Sequence, residues 1–160
     1  MSRIAIVPFV PQHAAAFRRL NLAWIERLFT VEAADRRVLD DPQGSIIATG
    51  GQVFLAMDGD QAVGTVAMLH VGPARYELAK MAVADSHQRR GIGELLGAAA
   101  IDWARMVGAE LVCLETNRKL GGAIRLYERL GFRRKADPHA SEFARCDVYM
   151  ELPIMGAEVR

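Results

Sequence analysis

Apolar residues alternate from Arg3 to Val7 before Pro8 and Pro11 close the run, so the chain opens on an edge strand. The period then lengthens. From about Gln12, residues Phe17, Leu20, Trp24, Ile25 and Leu28 recur at steps of three and four and predict a helix with one apolar face, most of it core. A second short helix is expected over Glu32 to Leu39, broken by the turn chemistry of Asp41-Pro42-Gln43-Gly44. Two β-rich runs follow, Gln52 to Met57 and Ala62 to His70. The Asp-Gly step in Asp58-Gly59-Asp60-Gln61 between them signals a hairpin, which makes them antiparallel neighbours.

A third strand is expected from Tyr76 to Val83, then a polar, glycine-bearing loop and a helix from about Ile92 to Val107. Beyond it come a strand from Glu110 to Thr116, a helix from Ala123 to Leu130 closed by Gly131, and a last strand from Arg145 to Leu152. Early hairpins with later strand-helix-strand units predict an α/β chain of the mixed α+β kind, built on a mixed sheet. A doubly wound sheet is excluded, because the first half supplies hairpins where that fold needs crossovers.

At 160 residues, with 51% hydrophobic and 24% charged positions and no low-complexity tract, the chain fits one domain over 1–160. A net charge of +1 provides no overall field toward nucleic acid or an anionic membrane, so neither is expected as a partner. Apolar stretches such as Gln61 to Val71 fall short of the ~20 residues that span a bilayer. With no basic-then-apolar pattern at the amino terminus either, the expected location is cytoplasmic.

Cys113 and Cys146 form no Cys-x-x-Cys pair, and no histidine cluster has metal-ligand spacing, so no metal site is expected. Cys113, in the apolar run Leu111-Val112-Cys113-Leu114, reads as a small buried residue. His13, His70, His87 and His139 are scattered, and none is assigned a role.

The segment Gln88-Arg89-Arg90-Gly91-Ile92-Gly93 stands between a strand and a helix, where the free N–H groups of the first helical turn and the positive end of the dipole favour an anion. Gly91 and Gly93 remove Cβ atoms that would hold a phosphate off the backbone, and Arg89 and Arg90 add local positive charge. A pyrophosphate suits this design. A dinucleotide fingerprint would need glycine where Leu96 stands, although Glu115 imitates its ribose-binding acid; a Walker loop is excluded because no Gly-Lys-Ser/Thr follows.

This segment resembles the Gln/Arg-x-x-Gly-x-Gly/Ala motif of GNAT acetyltransferases, and the strand ending Met81-Ala82-Val83 precedes it as in that family. Downstream, Ala123-Ile124-Arg125-Leu126-Tyr127-Glu128-Arg129-Leu130-Gly131-Phe132 is similar to the family's Ala-x-x-x-Tyr-x-x-x-Gly-Phe segment. The resemblance covers roughly Val53 to Leu152. It implies a single GNAT-like domain, a mostly antiparallel mixed sheet of about six to seven strands flanked by about four helices. The wording of Glu77 to Val83, Leu114 to Asn117 and Asp147 to Leu152 further resembles a bacterial subgroup sometimes fused to helix-turn-helix regulators.

What the resemblance implies is an N-acetyltransferase that uses acetyl-CoA and transfers its acetyl group to a primary amine by direct attack in a ternary complex. The alternative is a non-catalytic coenzyme A-binding regulatory module. Coenzyme A would contact Met81, Ala82, Val83, Gln88, Arg89, Arg90, Gly91, Ile92, Gly93, Glu94, Asn117 and Tyr127, with the backbone of Met81 and Val83 extending strand pairing to the pantetheine arm. Many members carry asparagine where Leu120 stands; Asn117 is displaced by three, which leaves its reach to coenzyme A or the acceptor open.

An amine of lysine type, with a reference pKa of about 10.4, must lose a proton before it attacks. Glu77 is the candidate base, with Glu115 or a water as alternatives, and Tyr127 the candidate acid for the departing thiolate. The acceptor, a small molecule or a protein amine, is not identified by the sequence. An exposed terminal strand leaves room for a homodimer.

Overall fold

The computed structural model describes residues 3–136 and 141–154, so His139 lies outside the described residues. Strand β1 (Ile4–Pro8) leads through a 3₁₀ turn to helix α1 (Ala14–Leu28) and helix α2 (Ala33–Leu39). A π-helical turn over Gln43–Ile47 then delivers the chain to β2 (Gln52–Asp58), β3 (Gln61–Gly72) and β4 (Arg75–Val83). Next come α3 (Ile92–Met106), β5 (Leu111–Thr116), α4 (Gly121–Leu130), β6 (Arg133–Arg134) and β7 (Val148–Pro153).

The strands form one seven-stranded sheet in the order β1-β2-β3-β4-β5-β7-β6. Every pairing is antiparallel except β4 with β5, so the mixed, mostly antiparallel sheet expected from the sequence is present, with β1 at one edge. The fold matches the architecture implied by the resemblance.

Period-two alternation along the strands divides the core between the two faces. On one, Ile92, Leu96, Ala100 and Ala104 of α3 pack on Ala56, Val66, Met68, Tyr76, Leu78, Val112 and Met150. On the other, Phe17, Leu20 and Ile25 of α1 and Leu39 of α2 cover Val53, Leu55, Ala67 and Ala82. Gly131, with φ of +108°, ends α4 in the left-handed conformation that glycine adopts at least cost.

One sequence expectation is corrected: the last strand begins at Val148 and not at Arg145, because Arg145 to Asp147 belong to a strap, residues 141–147, in which the Arg145 side chain is held by carboxylates. The seventh strand, β6, is two residues long and leaves no periodic signature in the sequence. No helix among the described residues is long and apolar enough to cross a membrane.

Candidate active site

The site begins with a defect in strand pairing. β4 pairs with β5 only from Arg75↔Leu111 to Glu77↔Cys113, whereas β5 stays paired with β7 as far as Thr116. On its other side β4 carries a bulge: Ala79 faces Ala67 and Ala82 faces Thr65, so Lys80 and Met81 stand against Val66 alone. Lys80 takes a φ of +53° there. An inserted residue bends its strand and increases its twist, so β4 veers from β5 and the two parallel strands open like a V. In the gap lies a cavity of about 490 Å³ lined by β4 from Glu77 to Val83, by the end of β5 and by the start of α4. The edge of β4 that faces β5 beyond Glu77 lacks a ladder partner among the described residues, so Met81 and Val83 present backbone groups there, the Val83 carbonyl also accepting from Gln88, whereas Ala82 is in register with Thr65 of β3.

At the mouth of the V the chain passes from Val83 through a 3₁₀ turn (Asp85–His87) to α3. Gly91 is the N-cap with φ of +76°, no side chain caps the helix, and an added Cβ there would meet nothing within 4 Å. The space beside Gly91 is open, at the helix end whose first N–H groups have no intrahelical partner. Arg89, with φ of +65°, and Arg90 are exposed, and no ion pair holds either among the described residues. These features fit an anionic, phosphate-bearing ligand.

The other residues of the segment have more structural parts. Gln88 lines the cavity, but its amide donates to Val83 O at 3.2 Å and to Asp85 Oδ1 at 3.3 Å, bracing the turn. Ile92 is buried in the core beneath α3. The side chain of Glu94 turns to Arg129 at 3.3 Å and ties α3 to α4. A Cβ on Gly93 would stand 2.9 Å from Leu126 Cδ2, so the missing side chain at Gly93 makes room for α4, a reason for glycine that the sequence did not show. His87, which the sequence left without a role, bonds Asp58 Oδ2 at 2.8 Å and Ser86 Oγ at 2.7 Å, mooring the turn to the β2–β3 hairpin.

Tyr76 and Leu78 enter the core beneath α3, and their alternation sends Glu77 to the opposite face. Register there sets Glu77 beside Cys113, with Glu115 two residues farther on the same face of β5. Both carboxylates line the cavity, and Glu115 Oε1 accepts a hydrogen bond from Ser141 Oγ at 2.7 Å. Tyr127 lines it from α4, its ring edge-on to Phe132 at 6.2 Å. Burial, then the neighbouring Cys146, pushes the Tyr127 phenol up to about 12. Burial, then Glu115, likewise raises the Cys146 thiol to about 11; burial, then Glu77, does the same for Cys113. All three hold their protons at neutral pH.

Asn117 also lines the cavity, but its amide is engaged: Nδ2 donates to Arg145 O at 2.6 Å, and Oδ1 accepts from Lys119 N at 2.8 Å. It thus secures the strap 141–147. The strap's Arg145 bonds Asp35 twice, at 2.9 and 2.6 Å, and the same carboxylate receives Lys80 Nζ at 2.6 Å. Burial alone would raise the Asp35 carboxyl, but hydrogen bonds from Arg145, Lys80 and the Glu32 backbone outweigh it and hold the group far below the usual carboxylate range. Lys80, Arg145, Phe143, Trp24 and Phe29 all line the cavity, and none was singled out as a site residue from the sequence. Trp24 belonged to a helical period that read as core, and pairings across 45 and 110 positions leave no local pattern.

A family model described as "Acetyltransferase (GNAT) domain" matches residues 49–134. Uncharacterized N-acetyltransferase YvbK of Bacillus subtilis (strain 168) is 31% identical over 111 residues, covering 68% of this chain and 72% of that protein. N-acetyltransferase 8F1 of Rattus norvegicus is 30% identical over 127 residues, covering 76% of this chain but only 56% of that protein. Among solved structures, a GNAT-family acetyltransferase from Staphylococcus aureus Mu50 superposes with a TM-score of 0.85 at 19% identity, covering 94% of this chain and 99% of that one. A Bacillus subtilis acetyltransferase solved in complex with CoA superposes with a TM-score of 0.69 at 22% identity, covering 97% and 100%.

Proposed function

We propose that this chain, which belongs to the acetyltransferase (GNAT) family, transfers the acetyl group of acetyl-CoA to a primary amine by direct attack in a ternary complex. One observation carries the reading. The V between β4 and β5 leads from the uncapped start of α3 to a cavity where two carboxylates and a protonated phenol face the same space. A relative solved with CoA supports the choice of donor.

In this reading the first-turn amides of α3, with Arg89 and Arg90, take the pyrophosphate, and the unpaired edge of β4 from Met81 to Val83 takes the pantetheine arm. Acetyl-CoA supplies an activated thioester. Glu77 takes a proton from the acceptor ammonium, freeing the nitrogen lone pair; a carbon–nitrogen bond forms as the carbon–sulfur bond breaks. Tyr127 gives its proton to the sulfur that leaves and is reprotonated by the second proton that the nitrogen sheds as the neutral amide forms, while Glu77 returns its proton to solvent. Proton transfers of this kind contribute about 10² to 10⁴ in rate each. Glu115, whose carboxylate already accepts from Ser141, is the alternative base. A cytoplasmic location and membership of the bacterial subgroup named above belong to the same proposal.

A thermal shift tests the donor site. At 100 times its dissociation constant, acetyl-CoA stabilises a protein that binds it only when folded by about 2.7 kcal/mol. An unchanged melting temperature at millimolar acetyl-CoA, with a rise on adding a nicotinamide dinucleotide, would overturn it. Binding without thiol release for any amine would make the chain a non-catalytic coenzyme A-binding module.

A further inference from the structure

Six charged side chains line the cavity: Arg27, Glu77, Lys80, Glu115, Lys119 and Arg145. Lys80 and Arg145 share Asp35, with Glu32 a further partner of Arg145 at 3.4 Å, and Arg27 reaches Asp85 at 2.8 Å. Lys119 is exposed and enters no ion pair among the described residues, and Glu77 has a partner of its own. Glu115 differs from all of these. It is half-buried, no cation pairs with it among the described residues, and its hydrogen bond there is the one that Ser141 Oγ donates to Oε1 at 2.7 Å. A carboxylate drawn from water without a counter-charge is costly, and a cationic ligand would supply one.

Ser141 is itself held in place. Its oxygen accepts from Phe143 N at 3.0 Å, which turns the hydroxyl proton toward Glu115. The strap that carries it is fastened to the end of β5, beside Glu115, because Asn117 Nδ2 donates to Arg145 O at 2.6 Å and Asp147 N to Thr116 O at 3.0 Å. Arg145 ties the same strap to α2 through Asp35. A glutamate side chain is long and flexible, and immobilising one at the moment of binding weakens affinity by about three- to tenfold. Ser141 fixes this one beforehand by one oxygen and leaves Oε2 without a partner among the described residues.

Resting on the transferase reading above, we propose that Glu115 binds the ammonium of the acceptor through Oε2 and that Ser141 is the positioning residue that holds the carboxylate there. The ammonium donates to Glu115 while Glu77 takes its proton, so the two carboxylates divide holding from deprotonation.

The test starts from a panel of phenethylamine, lysine, spermidine and a tripeptide with a free amino terminus, read as thiol release at saturating acetyl-CoA, and carries the fastest of them forward. Ser141→Ala should raise the KM for that amine by about three- to tenfold, with kcat and the thermal shift by acetyl-CoA as in the parent. Ser141→Thr, which keeps the hydroxyl, should restore it. Glu115→Gln should raise the same KM by about 30-fold or more. Added to Glu115→Gln, Ser141→Ala should have no further effect, because the hydroxyl acts only through the carboxylate. If Ser141→Ala does not fold, the KM of Glu115→Gln alone decides. The parent's KM in either single variant would overturn the inference, as would a fall in kcat at unchanged KM or an undiminished effect of Ser141→Ala beside Glu115→Gln. No thiol release from any amine of the panel while acetyl-CoA still binds would overturn it and leave the donor site standing, whereas no acetyl-CoA binding would overturn the reading beneath it.

Discussion

Lys80 Nζ stands 2.6 Å from Asp35 Oδ1, joining the bulged strand β4 to α2, and Arg145 on the strap bonds the same buried carboxylate. This wall of the cavity is therefore held together by one anion. Asp35→Asn leaves Lys80 without its anion and Arg145 with Glu32 alone, and should cost about 3–5 kcal/mol, as when one member of a buried ion pair is removed. The carboxyl's folded pKa lies well below its unfolded value of about 3.9, so its stabilisation is complete above that value and is lost as pH falls toward the folded pKa. Urea titrations at several pH values should show the parent losing this stability below about pH 4 and the variant losing less.

Gly91 and Gly93 should respond differently to valine. At Gly91, with φ of +76° and open space around its Cβ position, the substitution forces a left-handed branched residue, costs about 1–2 kcal/mol and obstructs the anion site. At Gly93 it overpacks against Leu126 and costs about 1–3 kcal/mol. Adding Leu126→Ala should recover stability for Gly93→Val and do nothing for Gly91→Val. Melting curves decide the stability effects, and calorimetry with coenzyme A the obstruction at Gly91; a Gly93→Val protein with the parent's melting temperature would contradict the packing role.

Tyr127→Phe should lower kcat by about 10- to 1,000-fold with acetyl-CoA affinity nearly intact, the signature of an acid needed only as the thiolate leaves. Because burial holds this phenol near 12, it stays protonated through the working range. The loss should then be uniform from about pH 6 to about pH 10, with no alkaline limb traceable to Tyr127. Full activity in the variant would show that the thiolate departs without an acid.

Glu77→Gln should lose most activity near neutral pH and regain part of it at high pH, where the amine arrives already deprotonated. Glu115→Gln is the companion variant, and the base is whichever carboxylate's loss steepens the pH profile. If both variants keep the parent's profile, the proton goes to water.

Read along the chain alone, the element order, the hairpin, the glycine-bearing junction and the tyrosine segment were all legible, because each depends on neighbours a few residues apart. Alternation, helical period and turn chemistry are local properties, and the helix start read as an anion site is local as well: it needs only its own first turn and a glycine before it. Only the tertiary structure decided which face Glu77 takes, since the packing of Tyr76 and Leu78 beneath α3 sends it to the other face, and a bulge in the central strand β4 accompanies its parting from β5. The same holds for Gly93, whose tight neighbour is Leu126 on another helix, and for Asn117, which holds the strap. The cavity wall around Asp35 was least visible of all. Asp35, Lys80 and Arg145 are ordinary charged residues until α2, the bulge and the strap meet, and burial then makes one carboxylate the shared partner of two cations that in water would scarcely interact with it.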